Sequence, residues 1–136
     1  MFLLDTNVLS ELRRPERAHP RVVEWAGLHP IGDCFVSVVT ILELELGVLL
    51  SERKDPAAGK VLREWLEGAV LTQFDERILP VDVEVARRCA QLHVPDPRSQ
   101  RDALIAATAL VHGMAVVTRN VADFIPTGVV TIDPWG

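Results

Sequence analysis

Three carboxylates set the chemistry open to this chain. Asp5 closes the short apolar run Phe2-Leu3-Leu4, Glu43 falls about one turn after the apolar stretch Cys34 to Val38, and Asp102 opens an alanine-rich stretch. Asn120 and Asp123 lie just past a further apolar run, Ala115 to Thr118. Each run has the length and bounding residues of a buried strand. If all belong to one α/β sheet, these polar residues follow strand ends, and the carboxyl edge of such a sheet is where ligands bind. Taken singly, each acid also has an ordinary structural use. Asp5 suits the cap of a first helix, Glu43 a solvated helix position, Asp102 the positive end of a helix, and Asp123 a loop. Their shared edge is what points to chemistry.

Gathered acids repel. Two carboxylates about 5 Å apart oppose each other by roughly 3 kcal/mol at an effective dielectric of 20, so three pairs approach ~10 kcal/mol. That is comparable with the whole stability of a domain. Either some acids stay protonated or cations neutralise them. A site of oxygen donors without His or Cys favours Mg²⁺ or Mn²⁺ over zinc. Such a site activates a water and balances charge on a transferring phosphoryl group, which suits phosphodiester hydrolysis. Glu45 cannot share the site with Glu43, because helical residues two apart point about 200° from each other; it is expected in solvent.

The elements that must position these residues alternate. A strand at Phe2 to Leu4 leads into a helix over Thr6 to Arg14, with Leu9 and Leu12 inward and Pro15 ending it. A charged connector, Pro15 to Pro20, precedes a helix over Arg21 to Leu28 with Val22, Val23, Trp25 and Ala26 on its apolar side. After the strand at Cys34 to Val38, Thr40 is expected as an N-cap. The following helix carries Leu42, Leu46, Leu49 and Leu50 on or near one face. Ala57 to Leu71 reads as another amphipathic helix, with Val61, Leu62, Trp65, Leu66 and Val70 as its buried stripe. Pro80 confines Ile78 to Val81 to a sheet edge. Asp82 opens a helix through Leu92 with Val85, Ala86 and Cys89 inward, and His93 to Gln100 is a loop. The helix begun by Asp102 ends at Gly113. Arg119 to Phe124 is a loop, and Val129 to Ile132 is the last strand. The alternation predicts an α/β fold: a three-layer α/β/α domain, central sheet mostly parallel, spanning 1–136 as one unit.

The 136 residues, 49% hydrophobic and 24% charged, suit one core, and the net charge of -5 argues against binding nucleic acid by bulk positive charge. Cys34 and Cys89 form no CxxC pair and read as buried thiols in a reducing cytoplasm. Asp5 interrupts the first apolar run before it could serve as a signal peptide, and no stretch approaches membrane-spanning length.

The ordered set Leu3-Leu4-Asp5-Thr6-Asn7-Val8-Leu9-Ser10-Glu11, Ser37 to Leu44 with Gly47, Ile78 to Asp82, Arg101 to Ala109, Val116 to Asn120 and Asp133-Pro134-Trp135 resembles the PIN-domain ribonucleases. Within them it resembles the VapC-type toxins, of the branch that includes FitB. The resemblance implies an Mg²⁺- or Mn²⁺-dependent endoribonuclease that cuts structured RNA such as transfer or ribosomal RNA. It implies a homodimer held inactive by a cognate VapB-type antitoxin, with DNA bound only through that antitoxin. Carried over by position, Asp5, Glu43 and Asp102 take the metal-binding and catalytic roles. Many relatives place a fourth acid where this chain has Asn120, so a second metal site would rest on Asn120 or Asp123. Thr6 and Thr118 are candidates to orient the acids, and Arg119 to meet a phosphate.

A local patch of Arg13, Arg14, Arg98 and Arg101 is the expected source of phosphate contacts. Leu12, Trp25 and Trp65 are candidates for a dimer or antitoxin groove. Two other functions fit parts of the pattern. A haloacid-dehalogenase-type phosphatase also places an Asp after its first strand, but it needs a second Asp where Asn7 stands. A non-catalytic PIN-like module that binds RNA or protein is favoured only by Asn120.

Overall fold

The computed structural model describes residues 1–136. A five-stranded sheet is built from β1 (Phe2–Leu4), β2 (Cys34–Ser37), β3 (Ile78–Leu79), β4 (Ala115–Val117) and β5 (Thr131–Ile132). Its order is β3-β2-β1-β4-β5, and every neighbouring pair is parallel. The helices are α1 (Thr6–Leu12), α2 (Pro20–Leu28), α3 (Val38–Lys54), α4 (Pro56–Trp65), α5 (Leu71–Gln73), α6 (Val83–Leu92), α7 (Gln100–His112) and α8 (Val121–Phe124). A π-helical turn, Leu66–Val70, joins α4 to α5.

Strand alternation sorts the core into two layers. Leu4, Val36 and Val117 pack with Val8, Leu9, Leu44, Val48, Leu66, Val70 and Phe74 on one face. Leu3 and Val116 pack with Val39, Ile105, Ala106, Ala109 and Phe124 on the other. The expected three-layer arrangement is therefore present. The small residues of α7 serve it twice: Ala106 and Ala109 meet the sheet, while Ala103 and Ala107 meet Val85 and Cys89 of α6. Gly113 ends α7 in the left-handed conformation, φ +67°, as a helix-terminating glycine should.

The central position of β1 matters for function. The chain leaves β1 to one side for β2 and later returns to its other side as β4. The carboxyl end of β1 is thus a topological switch point, where α/β sheets open a crevice. Asp5 stands there, its backbone N–H donating to the Val117 carbonyl at 2.9 Å.

Several expectations are corrected. Ser37, not Thr40, caps α3, its hydroxyl accepting from Val39 N–H at 3.0 Å. Thr40 is fully buried and turns to the site instead. The leucines of α3 share one face as expected, and it is the outward one: Leu42, Leu46, Leu49 and Leu50 are exposed, while Val39, Thr40, Leu44 and Val48 face the core. This helix is apolar on two faces, so periodicity alone could not choose between them. Val61, Val23 and Ala86 also point outward. Glu45 stays out of the cleft as expected, and its partly exposed side chain also pairs with Arg63 of α4 at 2.7 Å. Ser99 caps α7, which places Asp102 in its first turn rather than at its start. The stretch after β4 holds the short helix α8.

The candidate active cleft

Asp5 is only 5% exposed yet makes no ion pair. Hydrogen bonds hold it instead. Thr6 N–H donates to Oδ1 at 2.8 Å, which makes Asp5 the cap of α1 as well as a site residue. Thr118 Oγ1 donates to Oδ2 at 2.8 Å, and Asn7 Nδ2 donates to the same oxygen at 3.3 Å. Burial, the largest influence, raises the Asp5 carboxyl above the usual range, and the charges of Glu43 and Asp123 push the same way. The Thr118 and Thr6 bonds oppose them without cancelling them.

Glu43 is positioned by a second threonine. Thr6 Oγ1 donates to Glu43 Oε1 at 2.7 Å and lies 3.2 Å from Thr40 Oγ1. A hydroxyl has one proton. With that of Thr6 committed to Glu43, the Thr40 hydroxyl donates back to Thr6. The other Glu43 oxygen, Oε2, lies 3.6 Å from an Arg101 nitrogen. Asp102 lines the same cleft from α7. Its carboxyl is also raised, first by burial and then by the charges of Asp5, Asp123 and Glu43.

The cleft therefore brings together Asp5, Thr6, Glu43, Asp102 and Asn120 of the residues singled out in the sequence. Thr118 lies beneath them, fully buried. Asp123 is exposed and does not line the cleft, although its charge is felt by Asp5 and Asp102. Of the expected arginine patch, Arg101 is engaged with Glu43 and Arg98 with the Leu92 carbonyl. Arg13 and Arg14 line a neighbouring hollow with Arg17.

Sequence reasoning missed Asn7, Thr40 and Trp135. Asn7 donates to both Asp5 and Thr118, and its Oδ1 accepts from Arg119 N–H. It thereby ties the loop after β4 to the start of α1. Its place two residues after Asp5 was the only local signal, since its other partners, Thr118 and Arg119, lie more than a hundred positions away. Trp135 lines the cleft from the chain's end, where only its position in the closing Asp133-Pro134-Trp135 marked it.

A PIN-domain family model matches residues 2–124. This chain is a PIN domain. The PIN domain is 40% identical to toxin FitB of Neisseria gonorrhoeae, the alignment covering 99% of each chain. It is 36% identical to a VapC ribonuclease of Sinorhizobium fredii, over 99% of this chain and 98% of that one. Among solved structures, FitAcB from Neisseria gonorrhoeae superposes with a TM-score of 0.90 at 38% identity, covering 99% of each chain. FitAB bound to a DNA fragment gives 0.87 at 37% identity, covering 100% of this chain and 96% of that one.

PIN-domain ribonucleases generally use divalent metal ions. The cleft fits such an ion in donor type, since neither His nor Cys lines it. It fits in charge as well, since Asp5, Glu43 and Asp102 line it together and each raised carboxyl is pushed up in part by the charge of its acidic neighbours. No group of three acids is already close enough to grip one ion. Three-acid coordination of one ion would require these side chains to draw together, and Glu43 is held by Thr6 and Arg101.

Proposed function

We propose that this PIN domain, acting as one unit over residues 1–136, is a divalent-metal-dependent endoribonuclease and the toxin of a VapBC-type toxin–antitoxin module. Near-full-length similarity to toxin FitB and to a VapC ribonuclease supports the class. The observation that carries the chemistry is the meeting of Asp5, Glu43 and Asp102 in one cleft at the switch point of the sheet.

Asp5 and Asp102 would hold the ion, Mg²⁺ or Mn²⁺, with Glu43 helping to hold it or to orient the attacking water. Bound there, a divalent ion supplies positive charge against the phosphate and acidifies water. The protein's part is positioning. Thr118, Asn7 and the Thr6 amide fix Asp5 in one orientation, and the Thr6 hydroxyl fixes Glu43. Asn120 offers an amide where a fourth acid would stand, so the reading needs one ion rather than two. Water attacks phosphorus in line with the leaving oxygen.

Partners follow from the same reading. The solved structures similar to this chain include toxin–antitoxin and DNA-bound complexes, which supports a VapB-type antitoxin that carries the DNA contact. An apolar groove lined by Leu9, Leu12, Trp25, Trp65 and Phe74 suits an antitoxin helix. The outward leucines of α3 suit a homodimer. No helix is long and apolar enough to cross a membrane; action on RNA in the cytoplasm is part of the proposal.

The experiment is cleavage of total bacterial RNA by the purified chain with Mg²⁺, with EDTA, and with Mg²⁺ restored. Defined cuts that vanish with EDTA and return with Mg²⁺ are expected. Cutting indifferent to EDTA would reject the metal assignment, and no cutting would favour a binding module.

A further inference from the structure

In a cleft lined by carboxylates, one guanidinium is left without an acid. Arg101 is engaged with Glu43, but Arg119, at the same cleft, forms no ion pair. Its guanidinium carbon lies 5.4 Å from the centre of the Trp135 ring. Trp135 is the one apolar residue lining the cleft, and it also packs against the core layer that contains Leu4 and Val117. Its backbone N–H is tied to Asp133 Oδ1 at 2.9 Å. The backbone N–H of Arg119 is itself fixed by Asn7. A cation seated on an indole face keeps its donors free and forgoes the nearby acids.

A chain of net charge -5 must find local cations to hold phosphates beside its acids. Beyond Ser10 and Glu11, which line both hollows, Arg13, Arg14 and Arg17 line a second one. A strand crossing the acids therefore has Arg119 at the cleft and three further cations in the adjoining hollow. Sites for single-stranded nucleic acid combine such cations with aromatic or guanidinium planes for the bases.

We propose that Arg119 and Trp135 form a nucleotide grip at the wall of the acid cleft, in which Arg119 holds an RNA phosphate neighbouring the one cut and Trp135 is a positioning residue that seats Arg119. The proposal rests on the ribonuclease reading above and adds the residues that hold the strand.

The full-length chain carrying Asp5→Asn, which leaves the probe uncut, is titrated with a fluorescein-labelled single-stranded RNA of about twelve nucleotides. Anisotropy is followed across a range of KCl concentrations. Adding Arg119→Gln should weaken binding about tenfold and flatten the slope of log affinity against log salt by about 0.7, the signature of one lost phosphate contact on a single strand. Trp135→Ala should do the same, because Arg119 loses its seat. Trp135→Phe keeps an aromatic face and should return affinity to within about threefold. Since Trp135→Ala also removes core packing, circular dichroism is checked first, and Arg119→Gln with Trp135→Phe decides if that variant is unfolded.

Unchanged affinity and slope in Arg119→Gln would overturn the proposal, as would no saturable binding by the Asp5→Asn parent. Loss of affinity in Trp135→Phe equal to that of Arg119→Gln would overturn the seating role. Cleavage by the unsubstituted chain is scored separately. A chain that cuts RNA while Arg119→Gln binds normally loses only this grip, whereas a chain that cuts nothing loses the ribonuclease reading.

Discussion

Thr118 Oγ1 donates to Asp5 Oδ2 at 2.8 Å, joining residues 113 positions apart across the β1–β4 boundary. Both residues are buried, so the bond has no competition from water. The same hydroxyl oxygen accepts from Asn120 N–H at 3.0 Å. One side chain thus fixes the Asp5 carboxylate and the loop after β4 together. Thr118→Val keeps the shape and removes the hydroxyl. It should cost about 1–3 kcal/mol in urea denaturation, the range for stranding a buried polar partner. The Asp5 carboxyl, already raised, should rise further when followed by carbon NMR. An unchanged midpoint and titration would show that the hydroxyl contributes nothing.

Asp102 links stability to pH in the opposite sense from a surface acid. Its carboxyl is raised by burial and by Asp5, Asp123 and Glu43. The folded state therefore binds this proton more tightly than the unfolded state does. Losing it costs stability as pH climbs from the ordinary aspartate value of about 3.9 through the raised one. The cost is absent well below the ordinary value and grows as pH climbs through the raised one. An acid in a helix's first turn normally helps that helix, but the upward direction means that burial and repulsion outweigh this. In EDTA, Asp102→Asn should raise Tm at pH 7 and leave it nearly unchanged at pH 3. A lowered Tm at pH 7 would contradict the repulsion argument.

Arg101 competes with any cation for Glu43. Its nitrogen is 3.6 Å from Oε2 and its side chain is half exposed, so the pair adds at most about 1 kcal/mol to stability. Arg101→Gln should leave Tm within a few degrees in EDTA. The Mg²⁺ concentration giving half the maximal thermal shift should fall about two- to fivefold, as removal of one nearby charge allows. A raised midpoint would show that Arg101 organises Glu43 for the ion rather than opposing it.

The fold was legible wherever apolar runs stopped at polar caps. Asp5, Asp82 and Gly113 sit at element ends in the structure, as their types imply. The acids' common edge followed from the alternation of strands and helices. What could not be read was the choice between two apolar faces of α3, because a helix records its periodicity but not which side is covered. Nor could Thr40 be read. As a β-branched hydroxyl residue after a strand it looked like a cap, yet Ser37 already fills that place, and Thr40 is free to bond Thr6. The bond between Asn7 and Arg119 joins the two ends of the chain, beyond any local pattern.

Gly59 tests the packing that carries Glu43. A Cβ there would lie 2.4 Å from the Glu52 Cα, so α3 and α4 cross in contact only because position 59 has no side chain. Arg63 bridges the same helices through Glu45 and Glu52. Gly59→Ala should destabilise by about 1–3 kcal/mol through overpacking, despite the better helix propensity of alanine. A stabilised variant in chemical denaturation would show that the helices part easily.

The most direct measurement is single-turnover cleavage of a mapped RNA at saturating Mg²⁺ by the unsubstituted chain and by Asp5→Asn, with equal RNA binding verified for both. With Asp5 proposed at the reacting centre, the rate constant should fall by at least about 100-fold, the scale for losing one charge-stabilising group. A rate within about threefold of the unsubstituted chain would contradict the account, because the buried carboxylate at the end of β1 would then have no part in the chemistry.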